Sequence, residues 1–184
     1  MEHDIARILI SQERLAQRVR EMGAEIAACY SHGEDLTIVT ILAGSIIFFS
    51  DLIRQLPMKM HIGLITVSSY AGATTQSRGP KLMRDLDVDV RGQHVLIVDD
   101  ILDTGGTLRT VRSLMKEKGV RSVRTAVLLR KFAKAPPDVE AEFVGFDIGD
   151  EFVVGYGLDY NNQYRNLPHI AILKPEACGS GASA

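Results

Sequence analysis

The chain has 184 residues, 46% hydrophobic, 24% charged and 6% aromatic, with 21 basic and 23 acidic side chains. One domain takes about 100–200 residues, and fractions this near the soluble-protein average exclude wholesale disorder, a disulfide-knot scaffold and a fibrous repeat. A formal net charge of −2 supplies no global field to draw in nucleic acid or an anionic membrane, so function has to come from local groupings of residues.

Met1-Glu2-His3-Asp4 is acidic and leads into no apolar signal core, which argues against a secretory peptide. The longest strongly apolar stretch, Ile41 to Phe49, contains Gly44 and Ser45 and falls far short of the roughly 20 residues of a membrane helix. Cys29 and Cys178 lie far apart with no CxxC pair and read as reduced thiols, and none of the histidines pairs at i,i+4 as a zinc site would require. The expected setting is cytoplasmic.

In chain order, Leu15, Val19, Met22 and Ile26 recur at helical spacing behind Ser11 as N-cap and Glu13 in the first turn, predicting an amphipathic helix. Leu36 to Leu42 is a short β-branched strand that turns at Ala43-Gly44-Ser45 into a second helix, Ile46 to Leu56, stopped by Pro57. Met60 to Val67 reads as a strand. Residues 68–81 are small and polar with almost nothing to bury, and a loop of that length inside a domain is functional or disordered. Val95 to Val98 is a fully apolar strand core. Leu108, Val111 and Met115 then form one stripe of a helix that closes at Gly119. Val123 to Leu129, Ala141 to Ile148 and Phe152 to Val154 are further strands. Buried apolar strands alternating with helices predict an α/β domain over residues 1–178, with a mostly parallel central sheet flanked by helices. A small hood lobe would come from the N-terminal segment and part of residues 131–175. The tail, residues 179–184, reads as a flexible appendage.

The informative stretch is Val95-Leu-Ile-Val-Asp-Asp-Ile-Leu-Asp-Thr-Gly-Gly-Thr107, an apolar strand running into Asp99, Asp100 and Asp103, then a small-residue loop and a helix start. In open α/β sheets ligands bind beyond the carboxyl ends of the strands, where this turn lies. Gly105 and Gly106 let the backbone approach an anion closely. Free amides at the helix N-terminus, with the hydroxyls of Thr104 and Thr107, can then cradle a phosphate. Three crowded carboxylates are unfavourable unless a metal, sugar hydroxyls or a cationic centre offsets them. A solvated loop with an N-cap is the plainer reading of such a turn. No P-loop lysine accompanies Gly105-Gly106-Thr107, and Gly155-Tyr156-Gly157 lacks the third glycine of a dinucleotide fingerprint.

These residues resemble the phosphoribosyl-diphosphate (PRPP) motif of type I phosphoribosyltransferases, and the resemblance spans about residues 5–175. Asp103 stands where the 6-oxopurine enzymes of that family carry Asp. Phe143 to Tyr160 and Tyr164-Arg-Asn-Leu-Pro168 are similar to the purine-binding end of hypoxanthine(-guanine) phosphoribosyltransferases. Ile41 to Ser45 and Ser68-Ser-Tyr70 look like the family's pyrophosphate and flexible loops.

The resemblance implies transfer of a phosphoribosyl group from PRPP to hypoxanthine or guanine, giving IMP or GMP and pyrophosphate with Mg²⁺, in a homodimer or homotetramer. It places the 5′-phosphate on Asp103 to Thr107, the ribose hydroxyls on Asp99 and Asp100, and proton transfer on Asp103. It places pyrophosphate at Ala43, Gly44 and Arg165, with Ser69 and Tyr70 closing over the site. Lys131 would read the 6-oxo group, Phe152 would stack on the base, the Val153 backbone would contact its edge, and Asp159, with Asp99 and Asp100, would hold Mg²⁺. Taken singly, Lys131 is also readable as a strand-end lysine, Phe152 to Val154 as core, Asp159 and Arg165 as a surface ion pair, and Tyr70 as a loop aromatic.

Three positions depart from the common pattern: Ala43 where relatives often carry Lys or Arg, Asp99 where many carry Glu, and Gly106 where some carry a larger residue. Two other functions compete. An RNA-binding regulator of the same fold would need a clustered basic surface, for which Arg109, Arg112, Lys116, Lys118, Arg121, Arg124, Arg130 and Lys131 are the candidates. A signalling receiver domain would share the acidic strand Val95 to Asp100, but too little chain follows for its sheet, and the Thr-Gly-Gly-Thr turn has no role there.

Overall fold

The computed structural model describes residues 1–30, 35–68 and 80–178. A six-stranded sheet forms the centre, built from β2 (Leu36–Leu42), β3 (His61–Ser68), β4 (Lys81–Arg84), β5 (His94–Leu102), β6 (Ser122–Lys131) and β7 (Phe143–Ile148). Its order is β4-β3-β2-β5-β6-β7, parallel throughout except for the antiparallel edge strand β4. β1 (Ile5–Ile10) and β8 (Ile170–Leu173) form a separate antiparallel pair, to which Val154 adds a single bridge at Ala171.

Strands buried on both faces need apolar residues at consecutive positions, because successive side chains point to opposite sides. β5 meets that demand: Leu96 and Val98 join the core beneath α1 (Gln12–Ala28) and α2 (Ile46–Ile53), while Val95 and Ile97 join the core beneath α3 (Gly106–Glu117). Helix α1 buries Leu15, Val19, Met22 and Ile26, the stripe its sequence spacing predicts, and the Ser11 side chain accepts from the Arg14 amide as N-cap. Helix α3 buries Leu108, Val111 and Met115. β5 pairs with β2 on one side and β6 on the other, so the carboxyl end of β5 opens at the middle of the sheet.

Several elements differ from their sequence expectation. Helix α2 stops at Ile53 rather than Leu56, because Gln55 and Leu56 bond back three residues and tighten the last turn. Phe152 to Val154 is not a strand: the chain doubles back at once, with the Gly155 and Leu158 backbones bonded reciprocally and Gly155 at φ +96. Strands β1, β4 and β8 carried no local signal. β1 and β8 pair with each other across nearly the whole chain, and β4 is a mostly exposed edge. Of the expected loop 68–81, Ser68 ends β3 and Lys81 begins β4, while residues 69–79 and the tail 179–184 lie outside the described residues. None of the described helices is long and apolar enough to cross a membrane.

Candidate active site

At the carboxyl ends of β2, β3 and β5 lies a cavity of about 760 Å³ lined by Ala43, Gly44, Asp99, Asp100, residues 103–107, Asp159 and Arg165. Positions up to 122 residues apart in sequence thus converge, as the difference between Arg165 and Ala43 shows. Ser68, the first residue of the Ser68–Tyr70 stretch, lines the wall, and Val67 and Pro80, which the sequence did not single out, add to it.

The glycine-rich turn owes its shape to Gly105, which stands at φ +73 as the N-cap of α3; a side chain there would also run into Val139 and Pro136. Among the described residues no side chain caps this helix, so its first-turn amides face the cavity free to meet an anion. Arg109, one turn into α3, donates to the Thr104 carbonyl at 3.3 Å and is forked onto Asp138 at 2.8 and 3.0 Å, bracing the turn from behind. From the sequence Arg109 is only one of the basic residues that could form a clustered surface. Only the fold brings it to Thr104.

The Asp99 side chain is buried and Asp100 half-buried; the Asp99 carboxylate accepts from the Asp100 amide at 3.0 Å, and that of Asp100 from the Ile101 amide at 2.7 Å. Burial, and then the adjacent Asp100 charge, pushes Asp99 well above the usual carboxylate range. Burial also raises Asp100, against hydrogen bonding and the nearby Arg165 charge. Opposite them the Leu42–Ala43 peptide bond is cis, and Gly44 packs so close that a Cβ there would lie 1.6 Å from Asp100 Oδ2. Ala43 is exposed at the rim and brings no charge.

Asp103 is partly exposed, with Oδ2 3.3 Å from Lys131 Nζ, while its buried Oδ1 has no hydrogen-bond partner among the described residues. Lys131 is buried to 8% exposure and also reaches Asp150 at 3.1 Å, and Lys134 holds that same carboxylate at 2.7 Å. Asp150 had not been anticipated, and the run Gly149-Asp150-Glu151 carries no pattern that marks it. Lys131 is therefore not a solvated strand-end lysine. Phe152 is exposed and meets Tyr160 edge-on at 5.8 Å, presenting a free face, whereas the Val153 side chain is core, leaving only its backbone for recognition. Lys131, Phe152 and Val153 do not line the cavity itself. Asp159 and Arg165 do form an ion pair, at 2.7 Å, inside the cavity wall rather than on an open surface. Ser69 and Tyr70 fall outside the described residues.

The basic cluster that an RNA-binding surface would need is largely neutralised. Besides Arg109 and Lys131, Arg112 reaches Glu142 at 3.5 Å, Lys118 holds Asp85 at 2.9 Å and Arg130 holds Asp147 at 2.6 Å, while Arg124 donates to the Cys29 carbonyl.

A central parallel sheet whose middle strand leads through adjacent carboxylates into a glycine-rich turn and a helix is the arrangement of a phosphoribosyl transferase domain, and the family of that description matches residues 7–161. The chain is 41% identical to a Bacillus subtilis hypoxanthine-guanine phosphoribosyltransferase over 95% of its own length and 97% of that protein. It is 42% identical to a bifunctional TilS/HprT protein of Listeria innocua, of which it spans 27%. A crystal structure of a Staphylococcus aureus hypoxanthine phosphoribosyltransferase superimposes with a TM-score of 0.89 at 41% identity, covering 96% of this chain and 95% of that one. The chain belongs to the hypoxanthine-guanine phosphoribosyltransferase family.

The buried acidic pair has a consequence for stability. A carboxyl whose folded-state pKa is raised costs nothing while protonated in both states; with rising pH the unfolded state ionises first, and the fold loses stability until the folded group ionises too. Without divalent cations, stability should decline from the unfolded carboxylate pKa of about 4 up through the raised folded value. Asp99→Asn should melt above wild type at pH 8 and level with it at pH 4. A variant melting at or below wild type at pH 8 contradicts this account.

Proposed function

We propose that the chain transfers the 5-phosphoribosyl group of PRPP to a 6-oxopurine, hypoxanthine or guanine, releasing pyrophosphate and IMP or GMP. A bond forms between the purine nitrogen and C1 of the ribose as the C1–oxygen bond to pyrophosphate breaks, and the proton of the purine ring passes to the protein. The observation that carries this reading is Asp103: one oxygen faces Lys131 and the other is buried with no partner among the described residues, beside the glycine-rich turn of the cavity. A carboxylate so placed accepts a proton, while its neighbour Lys131 meets the 6-oxo group.

The 5′-phosphate would rest on the amides of residues 104–107, with the Thr104 and Thr107 hydroxyls as further donors. Asp99 and Asp100 would take the ribose hydroxyls, and their charge favours the oxocarbenium character that develops at C1. Phe152 offers a face for stacking on the base, and the Val153 backbone an edge contact. Arg165, with the Ala43–Gly44 backbone, would bind the pyrophosphate end. Ser69 and Tyr70 would cover the site and exclude water that could hydrolyse PRPP.

No three acidic, histidine or cysteine side chains come together as a ready metal cage among the described residues. Mg²⁺ seldom uses one: it takes one or two carboxylates and completes its shell with water and substrate oxygens. The crowded, partly desolvated Asp99 and Asp100 and the cavity-wall Asp159 suit that role. When bound, Mg²⁺ would neutralise charge on the pyrophosphate leaving group.

The reading is tested by mixing the protein with PRPP, Mg²⁺ and, in turn, hypoxanthine, guanine, xanthine and adenine. Nucleotide should form with hypoxanthine or guanine; formation with none rejects the enzyme, and a preference for adenine rejects the role of Lys131. Asp103→Asn should lower kcat by about 10²–10⁴-fold with a far smaller rise in the KM for PRPP, since the phosphate cradle is retained. Equal losses in both would point to a binding role. Ala43→Lys should lower the KM for PRPP by placing a cation at the rim; an unchanged or higher value shows that the backbone alone sets affinity there.

A further inference from the structure

The strap 155–158 touches the cavity from outside, and neither base nor ribose recognition uses it. Tyr156 is buried to 7% exposure at φ +51, an unusual backbone state for a large side chain, and its hydroxyl donates to Asp51 Oδ2 at 2.5 Å. Asp51 lies on α2, the helix that begins immediately after the Ala43–Gly44 turn, and Arg54 pairs with its other oxygen. The residue after Tyr156 is Gly157, packed so closely on the turn that a Cβ would lie 2.1 Å from the Gly44 carbonyl oxygen. Gly157 is held there by its amide bond to the Arg165 carbonyl at 2.9 Å and by Arg165 Nη1 on its own carbonyl at 2.7 Å. The contacts close a ring: from α2 through Asp51 to Tyr156, on to Gly157, across to Gly44, and back into α2.

Resting on the function proposed above, we infer that Tyr156 and Asp51 are positioning residues that clamp the strap onto the Ala43–Gly44 turn and so set the turn and Arg165 for the pyrophosphate end of the substrate. Ala43 supplies no charge to grip pyrophosphate. Backbone placement and Arg165 must do so, and both are fixed by the strap. Tyr156 also packs into the core with Phe48 and Leu52. Beside its bond to Asp51 lies a second cavity of about 260 Å³, lined by Ile47, Asp51, Tyr156, Arg165 and Leu167 among others, which leaves room for this end to shift when the hydrogen bond is lost. Burial and the Asp51 carboxylate push the Tyr156 phenol above its ordinary value, keeping it a donor throughout the working pH range.

The test uses the full chain and four variants: Tyr156→Phe, Asp51→Ala, Asp51→Asn and the double Tyr156→Phe/Asp51→Ala. Each is measured for the KM of PRPP and of hypoxanthine, for pyrophosphate binding by calorimetry with Mg²⁺, and for Tm. Tyr156→Phe and Asp51→Ala should each raise the KM of PRPP and the Kd of pyrophosphate about three- to tenfold, with the KM of hypoxanthine changed less than about twofold. The double variant should be no worse than the worse single one, as for two ends of one bond. Asp51→Asn, which keeps an acceptor, should stay near wild type. A lower Tm with PRPP and pyrophosphate parameters unchanged, or an equal rise in both substrates' KM, overturns the inference. If wild type makes no IMP the proposed function fails, and pyrophosphate binding still decides the clamp: a Kd unaltered in Tyr156→Phe overturns it.

Discussion

Two carboxylates side by side at the end of a buried strand are the constraint around which the rest of the molecule is arranged. Asp99 and Asp100 sit just past the last β2 partner of β5, where the strand stays paired with β6 alone, short of water and close to each other, so both resist ionisation. The fold does not relieve this by pairing them directly with a cation. It offers two backbone amides, the charge of Arg165 and the Gly44 turn pressed against Asp100, which leaves the acidic pair poised for a partner from outside. Sugar hydroxyls, a hard divalent ion and a carbon acquiring positive charge all meet that description. Local stability is given up where ligand chemistry needs it.

The sheet makes that arrangement possible. Parallel strands feed all their carboxyl ends to one rim, so β2 delivers its turn, β3 its last residues and β5 its acidic pair and glycine cradle to one cavity. The region after β6 then contributes the remaining groups. Lys131, the last residue of β6, is drawn between Asp103 and Asp150, and the strap 155–158 brings Arg165 across to Asp159. Opposite charges cluster locally although the whole chain is nearly neutral.

The bland readings of the same residues fare unevenly. Phe152 is not core but Val153 and Val154 are, and Asp159 with Arg165 is an ion pair, though one facing the cavity. An ion pair and a ligand site are compatible: a paired Arg165 is held in place and retains donors for an anion.

How much was legible follows from the range of the interactions involved. Residues 95–107 carry their own signal, because strand, acidic pair, glycine turn and helix start are contiguous and each obeys a local rule: an unbroken apolar run for a strand buried on both faces, a positive φ that glycine adopts easily, and a helix that starts directly after the turn. Helices α1 and α3 were legible for the same reason, through the stripes Leu15–Val19–Met22–Ile26 and Leu108–Val111–Met115. The sequence by itself thus determined the class of fold, the glycine-rich turn after β5 and, through resemblance, the family. Tertiary structure alone decided the β1–β8 pairing, the bracing of Thr104 by Arg109, the capture of Lys131 by Asp150 and the Tyr156–Asp51 hydrogen bond. Those contacts join residues far apart in the chain, and their energies depend on burial and angle, which no local pattern of residue types encodes.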